Sequence, residues 1–268
     1  MIEPLPSSLR PPARPLVGMI HLPPLPGSPR WGGSMEAVIE RAVADAGALA
    51  GGGMDALLVE NYGDVPFRRG RVGPWTVAAL TLAVSAVREA AARLPVGVNV
   101  LRNDARAALG VAAATGASFV RVNVHTGTML TDQGVLQGRA DRTLRARRAL
   151  GASVAIVADV HVKHAVPPAG ATLEGSAADA RLRGLADVLV VTGARTGGGA
   201  DPAEIRRVAD AVPGTPVWVG SGVTPDNVAS MLEVADGVIV GSALHRDGVA
   251  GRGVERRRVE RLVRALRG

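Results

Sequence analysis

The sequence predicts an α/β fold, a single (β/α)8 TIM barrel preceded by a short Pro-rich arm. Three observations carry this. Eight Val/Ile/Leu-rich runs alternate with eight Ala/Leu/Arg-rich segments of helical spacing, and such alternation implies parallel strands joined by helical crossovers. The 268 residues suit one barrel of about 250 residues. A weak repeat also recurs: Gly53-Met54-Asp55-Ala56-Leu57-Leu58-Val59, Gly184-Leu185-Ala186-Asp187-Val188-Leu189-Val190-Val191 and Val234-Ala235-Asp236-Gly237-Val238-Ile239-Val240. Each has a helix ending, a small residue, an aspartate and then a buried strand. An open doubly wound sheet usually carries a Gly-rich dinucleotide fingerprint after its first strand. Leu22-Pro23-Pro24-Leu25-Pro26-Gly27 stands there instead.

The elements follow in order. Residues 1–14 form an extended arm rich in proline, with no hydrophobic segment of signal-peptide type, and residues 15–268 form the barrel. Strands are expected at Leu16–His21, Ala56–Glu60, Val96–Leu101, Phe119–Val124, Val154–Val162, Val188–Thr192, Val217–Gly220 and Gly237–Gly241. Helices are expected at Met35–Ala50, Trp75–Arg93, Ala105–Ala114, Arg139–Leu150, Ala177–Arg183, Ala203–Ala211, Asp226–Leu232 and Val254–Leu266. No linker divides the series.

Composition narrows the function. With no cysteine, disulfides, a Cys nucleophile, thiolate zinc and iron–sulfur ligation are excluded. No apolar run reaches the roughly 20 residues of a membrane span, so a cytoplasmic protein is expected. The net charge of +7 comes from 30 arginines and one lysine against 24 acids. Six scattered aromatics offer no stacking platform, so nucleic acid is not an expected partner. The dense runs Arg139–Arg148 and Arg252–Arg267 read as solvated helix faces. Their rival reading is contact with a membrane face or an acidic protein complex.

Side chains alternate across a strand, and helices cover the outside of a barrel, so polar faces must look inward. That rule turns Asn99, Arg121, Asn123, His125, Asp159, His161 and Lys163 toward the interior. The five histidines (His21, His125, His161, His164, His245) fall at or just past strand C-termini, where barrel enzymes keep their active sites. A lone lysine in an arginine-rich chain suggests a compact ammonium able to lose its proton. Lys163 is therefore a candidate Schiff-base nucleophile or electrostatic stabiliser. Glu60, Asp159 and His161 complete the candidate catalytic set. Glu60 and Asp159 serve either as acid/base groups or as ligands for a hard cation such as Mg²⁺. The competing reading of Glu60 is an ion pair with Arg102 or Arg121. His21, Asn99, Arg102, Asn123, His125 and Thr192 are candidate substrate contacts.

The last two units carry Gly220-Ser221-Gly222-Val223-Thr224-Pro225 and Gly241-Ser242-Ala243-Leu244. Glycines let backbone N–H groups approach an anion, and barrels build phosphate sites from these two loops. Gly220, Ser221, Gly222, Gly241 and Ser242 are the candidate phosphate anchors, with Thr224 capping the next helix. Thr192–Gly199 reads as a mobile substrate loop.

The chain resembles the BtpA/SgcQ family of ribulose-phosphate-binding-type barrels. The matching motifs are Gly18-Met19-Ile20-His21-Leu22-Pro23-Pro24-Leu25-Pro26-Gly27, Val59-Glu60-Asn61-Tyr62-Gly63-Asp64-Val65-Pro66-Phe67 and Gly97-Val98-Asn99-Val100-Leu101-Arg102-Asn103-Asp104. Further matches are Arg121-Val122-Asn123-Val124-His125-Thr126-Gly127, Thr131-Asp132-Gln133-Gly134, Ala158-Asp159-Val160-His161-Val162-Lys163-His164 and the two phosphate loops. His245 stands where the family pattern leads one to expect lysine. The resemblance implies a barrel holding a phosphorylated small molecule. The rim residues themselves then suggest an enzyme acting on a phosphorylated sugar or nucleotide-like metabolite by aldol cleavage, isomerisation or phosphoester hydrolysis. The alternative is a non-catalytic biogenesis factor of the photosystem I type, since the founding member is associated with photosystem I accumulation. Exposed barrel helices point to a homo-oligomer.

Overall fold

The computed structural model describes residues 5–10, 13–91, 93–193 and 199–268. Eight parallel strands close into a barrel in the order β1-β11-β10-β9-β7-β4-β3-β2. They are β1 (Leu16–His21), β2 (Ala56–Glu60), β3 (Val96–Asn99), β4 (Phe119–Val122), β7 (Ala155–Val160), β9 (Val188–Val191), β10 (Val217–Val219) and β11 (Gly237–Val240). The helices α1 (Met35–Gly52), α2 (Pro74–Ala91), α3 (Ala105–Thr115), α4 (Ala140–Ala149), α5 (Leu173–Ala178), α6 (Pro202–Ala211), α7 (Val228–Leu232) and α8 (Arg256–Arg267) cover it. The fold expectation holds.

Alternation sorts the core into two layers. Leu57, Val59, Val98, Val120, Ile156 and Leu189 face the helices. Met19, Leu58, Phe119, Val157, Val190 and Trp218 fill the interior, where Phe119 and Trp218 meet edge to face at 6.3 Å between centroids. The repeated aspartates now have a physical role. Asp55, Asp187 and Asp236 each accept a backbone N–H from the start of a neighbouring strand, from Leu16 (2.8 Å), Ile156 (2.8 Å) and Val217 (2.9 Å) respectively. The backbone N–H of each aspartate donates back to the carbonyl of that same residue. These paired bonds set strand register from below.

Four expectations need correction. The arm is not simply extended, because Ser7–Leu9 forms a 3-10 turn whose Leu9, with Leu5, joins the interior cluster. An open barrel end exposes apolar surface, and these leucines cover it. Strands four and five are shorter than expected, ending at Val122 and Val160. The chain then leaves the barrel to build a small antiparallel sheet over the rim from β5 (Thr128–Thr131), β6 (Gly134–Gln137) and β8 (Ala165–Val166). Ala177–Arg183 divides into the end of α5 and a π-helical turn, Asp179–Arg183. Thr224 does not cap α7. The Asn227 side chain instead accepts the Thr224 N–H at 2.8 Å and donates to Gly222 O at 2.9 Å, closing a turn before the helix.

Candidate active site

Two loops at the rim lock together first. Asp64 accepts the Leu25 N–H at 2.7 Å and an Asn61 amide N–H at 3.0 Å, while Asn61 accepts the Leu101 N–H at 2.7 Å. A Cβ at Gly63 would lie 2.4 Å from the Pro24 nitrogen, so only glycine lets the Pro-rich loop after β1 lie on the loop after β2. The result gathers His21, Glu60 and Tyr62 at one cavity.

His21, Glu60, Tyr62, Arg121 and Lys163 line one small cavity of about 30 Å³ together with Gly220, Ser221, Gly222, Gly241 and Ser242. That volume admits about two waters, so a larger group enters only if lining side chains move. The Glu60 carboxylate accepts an Asn99 amide N–H at 2.6 Å through Oε2. Its Oε1 faces His21 Nε2 at 3.8 Å. The competing ion pairs with Arg102 and Arg121 do not form.

Arg121 pairs with Asp159 instead. Its Nε and Nη2 donate to the two carboxylate oxygens at 2.8 and 3.0 Å, and Asn123 adds a third bond at 2.8 Å. Burial opposes the Arg121 charge, but Asp159 and then Glu60 more than offset it and hold the guanidinium above its ordinary range. Both oxygens of Asp159 are thus committed, which does not fit a Mg²⁺ ligand. Among the described residues no group of three His, Asp or Glu is gathered to hold a metal.

Lys163 reaches the cavity from a loop, not from a strand. Thr192 Oγ1 accepts its backbone N–H at 3.0 Å, and Arg102 donates to its carbonyl at 2.8 Å. Thr192 and Arg102, expected to touch substrate, position the lysine backbone. Burial and then Arg121 push the Lys163 amine below the usual lysine range, with Glu60 and Asp159 pulling the other way. His21 is held well below the ordinary imidazole value by burial, then by His245, Lys163 and Arg121. Tyr62, tilted against His21 at 4.5 Å, is raised by burial and by Glu60.

The two glycine-rich turns, expected to bind an anion, meet this cluster directly. A Cβ on Gly220 would lie 2.5 Å from Val190 and 3.1 Å from the Arg121 guanidinium, and one on Gly241 would lie 3.1 Å from His21. Gly222 has φ +71°. Ser221 Oγ accepts the Gly193 N–H at 2.7 Å, so this side chain ties two loops together. A 3-10 turn at Ser242–Leu244 follows β11, and its first N–H groups have no partner within the turn.

The remaining candidates diverge. His125 points away, its Nε2 2.8 Å from Gly184 O, because the chain leaves the barrel after Val122. His161, at φ +50°, turns to Ser176 Oγ at 2.9 Å. It lines a neighbouring cavity of about 470 Å³ that also reaches Asp159 and Asn123. His245 is fully buried, stacked on His21 at 4.8 Å. Burial lowers its pKa, although Asp45 and the nearby Met19 carbonyl favour the charge. Residues 194–198 of the expected substrate loop lie outside the described residues. Sequence reasoning missed Tyr62 and the role of Arg121; the inward parity of Arg121 was the available signal for the second.

The fold and the rim together define a TIM-barrel protein whose mouth gathers one acid, one amine and two glycine-rich turns. The chain belongs to the BtpA family, which it matches over residues 12–268. It is 46% identical over 252 residues to the Photosystem I biogenesis protein BtpA of Synechocystis sp., covering 94% of this chain and 88% of that one. An uncharacterized protein of Archaeoglobus fulgidus is 43% identical over 253 residues, covering 94% and 98%. Among solved structures, (S)-3-O-geranylgeranylglyceryl phosphate synthase from Thermoplasma acidophilum with sn-glycerol-1-phosphate superimposes at a TM-score of 0.59 with 14% identity, covering 94% and 93%. A native KDPGal structure does so at 0.58 with 20% identity and the same coverage. Likeness at that identity establishes the fold alone. No helix among the described residues is long and apolar enough to cross a membrane.

Proposed function

We propose that this protein is an enzyme acting on a phosphorylated carbonyl metabolite of sugar-phosphate size. Its phosphate would sit on the backbone of Gly220, Ser221, Gly222, Gly241 and Ser242. The observation that carries the reading is the single cavity shared by Glu60, Lys163, His21 and both glycine-rich turns. Remote phosphate binding would orient the reacting end. Lys163, with its amine pushed toward the neutral form, would attack the carbonyl carbon. Loss of water would then give an iminium, and Glu60 Oε1 would take or return the substrate proton. Asn99 fixes Glu60 through the other oxygen. Asp159 acts by holding Arg121, and Mg²⁺ has no part in this scheme. Aldol cleavage can proceed through such an intermediate; isomerisation and phosphoester hydrolysis do not need it.

The test is borohydride trapping with a panel of aldose and ketose phosphates. We expect a covalent adduct on Lys163, lost in Lys163→Met while binding of inorganic phosphate persists. Turnover of the same substrates by Lys163→Met would remove the lysine from the mechanism.

The second reading, a biogenesis factor docking on a membrane complex, rests on the name of the Synechocystis relative. The basic face expected to serve it is largely self-satisfied. Arg256 pairs with Glu260 at 2.9 Å, and Glu255 pairs with Arg257 and Arg258 at 3.2 and 2.7 Å. A membrane-complex pull-down that survives Lys163→Met but fails after neutralising Arg256, Arg257 and Arg258 would favour it.

A further inference from the structure

A third cavity, of about 420 Å³, lies at the same C-terminal rim between the loops after β2, β3 and β4 and shares no lining residue with the small mouth cavity. Five arginines line it: Arg69 and Arg71 from the loop before α2, Arg106 from α3, and Arg139 and Arg142 from the start of α4. None of the five takes part in an ion pair among the described residues, whereas Arg41, Arg121, Arg145, Arg147 and Arg207 elsewhere each face a carboxylate. The only acid lining the cavity is Asp104. It is already committed, accepting the Ala107 N–H at 3.1 Å as the cap of α3 and the Val72 N–H at 3.0 Å.

The arginines also stand where helix electrostatics disfavour them. Arg106 lies in the first turn of α3, which has no acidic residue there. Arg139 is the N-cap of α4 and makes no side-chain cap bond, and Arg142 lies in the same turn, whose one acid, Asp141, faces Arg145 instead. A cation at the positive end of a helix costs a few tenths of a kcal/mol or more, and like charges gathered in one groove add to that cost. A bound anion would reverse both effects, because free helix N–H groups and guanidinium forks favour phosphate oxygens. Five arginines less Asp104 leave a net charge of +4 on the lining residues. One phosphate brings about −1.5 to −2, so two are needed to match. Val122, Val124 and Leu136 supply an apolar floor for the body that joins them. The volume lies within the ordinary range of about 300–1,000 Å³ for small-molecule sites.

We propose that this groove binds a small molecule or headgroup carrying two phosphate groups, separately from the small mouth cavity. Inorganic pyrophosphate is the probe, titrated by calorimetry into Gly241→Ala protein, so that the weakened phosphate anchor of the mouth does not contribute. We expect one equivalent bound, with inorganic phosphate at least tenfold weaker. Arg139→Gln with Arg142→Gln should weaken pyrophosphate at least tenfold without moving the thermal midpoint. If that pair lowers the midpoint, Arg69→Gln with Arg106→Gln repeats the test from the other segments. Flotation with vesicles of phosphatidylcholine containing phosphatidylinositol 4-phosphate distinguishes the source. Retention on vesicles that is lost in the arginine variants, without binding of free pyrophosphate, assigns the groove to a lipid headgroup. Pyrophosphate affinity unchanged in both pairs of variants, or neither pyrophosphate nor vesicle binding by the unaltered protein, overturns the proposal.

Discussion

Arg121 and Asp159 form a two-pronged ion pair inside the barrel, at 2.8 and 3.0 Å, with the guanidinium 3% exposed and the carboxylate fully buried. It stands between the small mouth cavity, which Arg121 lines, and the larger one, which Asp159 lines. Breaking one partner of such a pair strands a buried charge, at about 3–5 kcal/mol. Asp159→Ala is therefore expected to lose stability on that scale in urea unfolding. A loss below about 1 kcal/mol would mean that Arg121 finds another partner or solvent.

Stability should also fall in acid, and the histidines set the window. Burial depresses the folded-state pKa of His21, His125 and His245. Above the unfolded value of about 6.5 both states are neutral and nothing is lost. Below it the unfolded chain takes up protons that the folded chain resists, so stability drops as pH falls toward the folded values. Thermal midpoints between pH 8 and pH 5 will show this. His245→Phe, which keeps the stacking on His21, should match the unaltered protein at pH 8 and exceed it at pH 5.5.

The glycine-rich turns make a sharper prediction about geometry. Gly220→Ala places a methyl 2.5 Å from Val190 and 3.1 Å from Arg121, and overpacking of this kind costs about 1–3 kcal/mol. Gly241→Ala crowds only a ring edge of His21, at 3.1 Å. It should spare stability and weaken phosphate binding in calorimetry. Equal phosphate affinity in Gly241→Ala would place the anchor elsewhere.

Much of this arrangement is legible in the sequence, and the gaps have physical causes. Strand alternation placed Asn99, Arg121, Asn123 and Asp159 inside correctly, because each still lies on or beside a strand. The same rule failed for His125 and His161, whose backbone has already left the ladder to form the rim sheet. Lys163 reaches the mouth although its strand ended three residues earlier, held there by Thr192 and Arg102, a tertiary fact no local pattern contains. Leu5 and Leu9 look like incidental residues in a proline-rich stretch; only a closed ring with an exposed end gives them a place.

That place can be measured. Leu9 is wholly buried at the barrel floor, and truncating such a leucine costs about 2–5 kcal/mol. Leu9→Ala should lower the thermal midpoint, while Ser8→Ala, on the exposed side of the same turn, should not.

The filled interior, covered beneath by those two leucines, also makes the vessel one-ended. With its base corked, anything admitted at the top must depart by the same doorway. In a reaction that splits one molecule into two, the piece nearer the threshold would exit before the piece tethered by its phosphate. Release would then be sequential by architecture, and the tethered fragment would be the stronger competitor of fresh reactant.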